Sequence, residues 1–538
     1  MGVRWWQRGI LYQVYPRSFA DADGDGVGDL AGVISRLDYL EWLGVDALWL
    51  SPIYPSPMRD FGYDVADYTG LDPLFGTLED FDRLLAQAHA RGLKVVLDFV
   101  PNHTSDQHPW FRESRASRGS PRRDWYIWRD PAPPSGTRAS PGGPPNNWLS
   151  CFGGSAWQFD EATGQYYYHA FLPEQPDLNW RNPAVVQAML GVLRFWLERG
   201  VDGFRVDALW HLVKDEYFAD NPPNPSWREG MDPYHALAPL HTTDRSEVHA
   251  VVAQMRRVLD EYPERLLIGE IYLPVERLVS YYGADLRGAH LPFNFQLLSA
   301  PWDARHLAGR IDEYEHLLPQ GAWPNWVLGN HDRPRVASRI GPAQARVAAM
   351  LLLTLRGTPT LYYGEEIGMA DVPIPPERVR DPLERNVPGM GLGRDPVRTP
   401  MQWSAAPHAG FGSSEPWLPL GADWRSVNVA AQREDARSML ALYRSLIALR
   451  RLEPALELGR YRPLPAKGDV LAYIRTAREN EPSFLVALNL GSGPQRLTLE
   501  RGGTVALSTH LDRANERADS VLELRPEEGV IVRLANGD

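Results

Sequence analysis

In the run GFRVDALWHL, which begins at Gly203, Arg205 and Asp207 stand two positions apart. On an extended strand such residues share a face, while Phe204 and Val206 point the other way. Burying a charged pair there is costly unless something uses it. An ordinary structural ion pair would look the same, so this pair does not decide its own role. Further polar groups fall at the ends of comparable runs: Asp98 within KVVLDFV and Asn102 and His103 after it, Glu270 within LLIGEIY, and His331 with Asp332 after NWVLGN. One strand-end acid is ordinarily a helix cap or an ion-pair partner. Several acids crowded at one rim raise one another's pKa values and separate a protonated acid from an ionised nucleophile. Cleavage of a glycosidic bond needs that division of labour.

Eight short apolar runs could carry those ends: LYQVYP from Leu11, ALWLSPI from Ala47, KVVLDFV from Lys94, GFRVDA from Gly203, LLIGEIY from Leu266, FNFQLL from Phe293, NWVLGN from Asn325 and TPTLYYGEE from Thr358. Amphipathic stretches such as LEDFDRLLAQAHARG lie between them, closed by glycine stop signals. Strands alternating with helices point to an α/β fold, a (β/α)8 barrel whose chemistry sits at the C-terminal ends of its strands. The interval from Asp98 to Gly203 is about twice the usual βα spacing and contains the Pro/Gly-rich PAPPSGTRASPGGPPNN. Residues 1–103 and 173–455 are therefore expected to form the barrel, with an excursion at about 215–245, and residues 104–172 an inserted domain B. From 456 to 538 the pattern changes to VLAYIR, FLVALNL, QRLTLE and GVIVRL, an antiparallel β-sandwich domain.

The 538 residues are 43% hydrophobic and 23% charged, an ordinary soluble composition. A net charge of −12 argues against a nucleic-acid partner. Cys151 is the only cysteine, which rules out an intrachain disulfide and a cysteine zinc site. The first residues lack a signal-peptide pattern and no apolar run approaches the ~18 residues of a membrane span, so a cytoplasmic protein with no membrane partner is expected.

The motifs DFVPNHTS, QPDLNW, GFRVDALWH, GEIY and LGNHD, in that order, resemble those of the α-amylase family, glycoside hydrolase family 13. YQVYPRSFADADGDGVGDL, DFGYDVADY and GRDPVRTPMQW resemble its bacterial α-glucosidase and oligo-1,6-glucosidase branch. The resemblance implies a retaining hydrolase with Asp207 as nucleophile, Glu270 as general acid then base, and Asp332 on the sugar 2- and 3-hydroxyls. It further implies Arg205 beside the nucleophile, His103 and His331 on sugar hydroxyls, Tyr63 stacked under the terminal glucose, and Asp60 closing the pocket with an arginine. Arg398 is the expected partner of Asp60, ahead of Arg394. A closed pocket means exo-action on short oligosaccharides, with transfer of glucose to acceptor hydroxyls as a second outcome. Ala208, where α-1,6-preferring members carry valine, favours α-1,4 substrates such as maltose. The alternatives are an oligo-1,6-glucosidase, or a sucrose- or trehalose-type isomerase or synthase of the same family, although HDRPRVASRIG does not match the isomerases' charged motif well.

DADGDGVGD sets Asp21, Asp23, Asp25 and Asp29 in one tight loop with the Val27 carbonyl, an EF-hand-like start whose twelfth position is Gly32 rather than glutamate. Four acids so close repel unless a cation joins them. In the family this loop holds a structural Ca2+, sometimes Mg2+, and no organic cofactor is expected.

Overall fold

A computed structural model of the chain describes residues 2–133, 142–477 and 481–535. Residues 134–141, inside the Pro/Gly-rich stretch, lie outside it. The chain opens with strands β1 (Leu11–Val14), β2 (Ala47–Leu50) and β3 (Lys94–Phe99). The following segment adds β4 (Trp128–Arg129), β5 (Trp157–Asp160) and β6 (Gln165–Tyr168). Next come β7 (Gly203–Val206), β8 (Leu266–Gly269), β9 (Leu291–Pro292), β10 (Asn325–Val327) and β11 (Thr358–Tyr362).

Eight of these pair in parallel in the order β10-β11-β1-β2-β3-β7-β8-β9, a nearly closed barrel. The strands are buried on both faces, as a parallel sheet wrapped by helices requires. The seam between β9 and β10 is bridged by the Asn325 side chain, which donates to Pro292 O (2.5 Å) and accepts from Asn294 N (2.9 Å). The sixth strand differs from the expected FNFQLL: it is Leu291–Pro292, and the run itself turns into the helix Gln296–Ser299. The side chain of Asn294 accepts from Gln296 N (3.0 Å), closing a local turn that leads into the helix where the composition suggested a strand.

Between β3 and β7, strands β4-β6-β5 form a small antiparallel sheet. Trp148, Trp157 and Tyr168 make its own core. Asn147 ties this segment to the excursion after β7, exchanging hydrogen bonds with Asn221 (both 2.8 Å).

The C-terminal region runs through β12 (Arg460–Pro463), β13 (Val470–Thr476), β14 (Ser483–Asn489), β15 (Gln495–Thr498), β16 (Gly503–Ser508), β17 (Arg517–Ala518), β18 (Val521–Leu524) and β19 (Gly529–Leu534). A six-stranded sheet, β12-β13-β14-β19-β16-β17, packs one apolar face against the β15-β18 pair. It meets the barrel at the helix Pro342–Thr354. There Arg450 donates to Leu353 O and Leu355 O (both 3.0 Å), and Arg475 of β13 donates to Thr354 O. Both guanidinium groups are buried, neither is ion-paired with a carboxylate among the described residues, and they satisfy the carbonyls that a helix C-terminus leaves unpaired.

Candidate active site

Register brings the acids together. In the β3–β7 ladder Asp98 is level with Arg205, and in the β7–β8 ladder Val206 is level with Gly269. The next residues, Asp207 and Glu270, therefore leave adjacent strands at the same height. Ala208 turns sharply in the left-handed region (φ 44°), a conformation that costs a non-glycine residue about 1–2 kcal/mol. That turn aims the Ala208 N–H at Glu270 Oε2 (2.8 Å).

One guanidinium holds the cluster. Arg205 Nη1 donates to Asp98 Oδ1 and Asp207 Oδ1, both at 2.7 Å, and Nη2 lies 2.9 Å from Glu270 Oε2. Asp98 is sealed beneath, with Trp49 (3.2 Å) and Tyr63 (3.0 Å) donating to its second oxygen. The Asp207 side chain is 12% exposed, that of Glu270 7%, and that of Asp332 24%. Thus Asp98 is structural support, fully buried, while the other three keep part of their surface exposed. Burial raises the pKa of Asp98, Asp207 and Glu270, and Arg205 opposes it in each. A single cation cannot balance three buried carboxylates, so the cluster keeps a proton well above the ordinary carboxylate range.

Asp332 is the opposite case. Burial alone would raise its pKa, yet His331, Arg398 and Arg394 together hold it well below the usual range. Arg398 Nη2 donates to Asp332 Oδ1 (2.9 Å), Arg394 Nη1 lies 3.5 Å from the same oxygen, and His331 Nε2 lies 3.3 Å from Oδ2. His331 is buried and kept neutral by desolvation. Gln13 Nε2 (2.8 Å) faces its Nδ1 and the Tyr63 hydroxyl (2.8 Å) its Nε2. The Tyr63 ring stacks on His331 (5.3 Å, 4°). His103 is buried, lowered to about 4 by desolvation, and bonds through Nε2 to Tyr63 O (3.0 Å).

The expected partner of Asp60 needs correction. Arg394, not Arg398, donates to Asp60 Oδ1 (2.7 Å). Arg398 lies one turn further on, across the short 3-10 segment Asp395–Val397, and reaches Asp332 and the His331 carbonyl (2.9 Å) instead. Two residues went unassigned in the sequence. Asp381 is buried and grips Arg394 through both of its oxygens (2.7 and 3.0 Å). Gln175, quoted above within QPDLNW, donates to Asp60 Oδ2 (3.2 Å). The motif around Gln175 was a usable signal; nothing in VRDPLERN singled out Asp381.

In the acidic loop, Asp21, Asp23 and Asp29 each bring a carboxylate oxygen within 4.8 Å of the others, while Asp25 stands outside that trio. Asp25 instead accepts from Val27 N (2.7 Å). Asp29 also caps the helix Leu30–Ser35 through Gly32 N (2.6 Å). Burial, opposed by the amides of Gly24 and Gly26, raises the pKa of Asp21, and Asp25 and Asp23 add to the rise. An oxygen-only set of this kind suits a hard cation such as Ca2+ or Mg2+.

Residues 13–459 match the family description "Alpha amylase, catalytic domain". The chain is 41% identical over 513 residues to a "Probable alpha-glucosidase" of Rhizobium meliloti (strain 1021), covering 92% of each. Among solved structures, it superposes on an alpha-glucosyl transfer enzyme, XgtA, with a TM-score of 0.91 and 40% identity, over 99% of this chain and all of that one. It superposes likewise on the trehalulose synthase MutB of Pseudomonas mesoacidophila MX-45 (TM-score 0.89, 34% identity, 99% and 100% covered). A parallel barrel with this rim of acids and a matching catalytic-domain sequence leads to one conclusion: the chain belongs to the alpha-amylase family.

Proposed function

We propose that this protein is an exo-acting, retaining α-glucosidase that removes the terminal non-reducing glucose from short, maltose-like oligosaccharides and also passes it to acceptor hydroxyls. One observation carries the reading: a single guanidinium, Arg205, holds Asp207 and Glu270 side by side at the rim. Double displacement calls for carboxyl groups ~5–5.5 Å apart, closer than the ~6.5–9.5 Å of an inverting pair. Asp207, its Oδ1 hydrogen-bonded to Arg205, attacks the anomeric carbon as the carboxylate, with the proton kept by the cluster residing on Glu270. Glu270 gives its proton to the departing glycosidic oxygen. Glu270 then takes a proton from water, or from an acceptor hydroxyl, as that oxygen displaces Asp207 and restores the α-configuration. Asp332, locked as an anion, accepts hydrogen bonds from the sugar 2- and 3-hydroxyls, which strengthen as positive charge builds on the ring.

The Asp60–Arg394–Asp381 lattice supports the exo reading, because it places charge-paired side chains where a longer chain would continue. His103 and His331, both neutral, serve the same glucose, and Tyr63 forms part of the pocket wall. A cavity of about 510 Å3 lined by Tyr272, Phe295, Gln296 and Arg333 supports an acceptor site, since Tyr272 and Arg333 neighbour Glu270 and Asp332 in sequence. Ala208 supports the α-1,4 preference. A cytoplasmic location belongs to the same reading, supported by the lone cysteine; no helix among the described residues is long and apolar enough to cross a membrane.

Product analysis on maltose, isomaltose, sucrose and maltotriose, following the anomer released, tests this. The expected result is α-glucose from the non-reducing end, fastest from maltose. Isomaltose as the best substrate would favour the oligo-1,6-glucosidase, and a relinked disaccharide from sucrose the isomerase. Release of β-glucose would refute the mechanism.

Asp21, Asp23 and Asp29 would hold the structural cation, with the Val27 carbonyl as a further ligand. The ion would contribute charge neutralisation of the loop. Saturating Ca2+ should raise the thermal midpoint and a chelator should lower it. A cation at ~100 times its Kd stabilises by about 2.7 kcal/mol. Asp21→Asn should lose most of the response, read by differential scanning calorimetry; an unchanged midpoint with and without chelator would remove the ion.

A further inference from the structure

The chain keeps a carboxyl group buried directly behind the Asp332 loop, and the mechanism above does not use it. Glu365 opens the 3-10 turn Glu365–Ile367 after β11 and is 5% exposed. Neither of its oxygens has a well-formed hydrogen bond. Its neighbour Glu366 is satisfied, accepting from the hydroxyls of Tyr12 and Tyr39 at 2.7 Å each. A buried polar group without partners is expensive, and such groups in native proteins generally have a use.

What Glu365 touches is the root of the catalytic loop. A methyl group placed on Gly329 would sit 2.1 Å from Glu365 Oε1, so the bare glycine is what lets the two approach. Gly329 is three residues before Asp332 and follows β10. At the far end of the same loop, Arg335 donates Nη1 to Tyr363 O (2.7 Å) and lies over the Tyr362 and Tyr363 rings. Its Nε and Nη2 are buried and also lack partners. An unpaired carboxyl group thus lies behind one end of the loop and an unpaired guanidinium edge lies at the other.

We propose that Glu365 is a positioning residue for the reaction, bracing the loop that carries His331 and Asp332 from behind through its contact with Gly329. The inference rests on the role given to Asp332 above. The brace works while Glu365 is neutral. Once ionised, the buried carboxylate is satisfied by drawing in the free edge of Arg335, which pulls the loop that aims Asp332. Besides Arg335, the charged and titratable groups facing it are Arg339 from the same segment, Glu366 beside it, Tyr362 at the end of β11, and Tyr443 of the helix Met439–Leu452. Burial pushes its pKa up to about 8, with Glu366 adding to the rise and the Tyr362 backbone amide, Arg335 and Arg339 opposing it.

The test is the pH profile of kcat/KM on α-glucosyl fluoride, whose leaving group needs no proton, so that Glu270 imposes no alkaline limb on the first step. Wild-type kcat/KM should fall about tenfold from pH 7 to pH 9, the ratio expected for one group titrating near 8. Glu365→Gln should match wild type at pH 6 and stay within about twofold of that value to pH 9. A raised carboxyl pKa gives stability that is complete below its unfolded value and lost as pH rises through about 8. The thermal midpoint of the glutamine variant should therefore gain on wild type across that window. A flat wild-type profile, or superimposable profiles for the two proteins, would overturn the proposal, and the first needs no variant to fold. Failure of the functional reading looks different, as no turnover of the fluoride at any pH, and would remove this inference with it.

Discussion

Asp207→Ala should abolish hydrolysis of maltose, lowering kcat on the order of 10⁴-fold or more while leaving the fold intact. The size follows from what is lost: with no nucleophile there is no covalent intermediate, and a water in its place has no base aimed at it. The same deletion opens a small space on the β face of the sugar, beside Arg205. Added azide should occupy it and attack there in a single displacement. The product expected is β-glucosyl azide, with Glu270 still protonating the leaving group. Steady-state kinetics and NMR of the product check both halves. Residual turnover within tenfold of wild type, or an α-azide, would show that another group is the nucleophile.

Arg205→Met is expected to injure the protein more broadly than any change to its partners. Three buried carboxyl groups share that one cation. Removing the charged member of a buried pair ordinarily costs about 3–5 kcal/mol. Much of that cost should be avoided by protonation, because each acid can retreat to its neutral form. The variant should therefore be strongly destabilised near neutral pH and less so in acid, where wild type gains no comparable relief. It should also be inactive at every pH, because a protonated Asp207 is no nucleophile. Asp98→Asn in the same chain should recover part of the stability and none of the activity. Chemical denaturation at two pH values, with activity measured alongside, separates these outcomes. An Arg205→Met protein as stable at pH 7 as wild type would contradict the charge balance described here.

The parts of this site that the sequence displays are those written into short runs. A strand-end acid advertises itself by closing a short apolar run rich in β-branched residues, so Asp207, Glu270 and Asp332 could be picked out one by one. Their convergence could not be read in the same way, since it depends on Val206 falling level with Gly269 across a ladder between residues some sixty positions apart. The exchange of Arg394 for Arg398 has a similar origin. Both arginines point inward from one turn, and only the 3-10 segment between them decides which reaches Asp60. Asp381 has no local signature, because its function lies in a partner thirteen residues away. The sixth strand departs from its pattern for a plainer reason: Phe293, Phe295 and Leu297 alternate as a strand should, but the Asn294 side chain closes a turn onto Gln296 N and starts a helix instead.

The buried meeting of Arg450 and Arg475 with the end of the helix Pro342–Thr354 has a consequence for anyone who would trim this enzyme. Ending the chain where the barrel is complete would delete Arg475 and strip part of the covering from a buried helix end that precedes the last strand. The trailing sheet is thus no detachable ornament. It covers the outside of the barrel, and a shortened version should emerge from the ribosome as an aggregate before it ever meets a sugar.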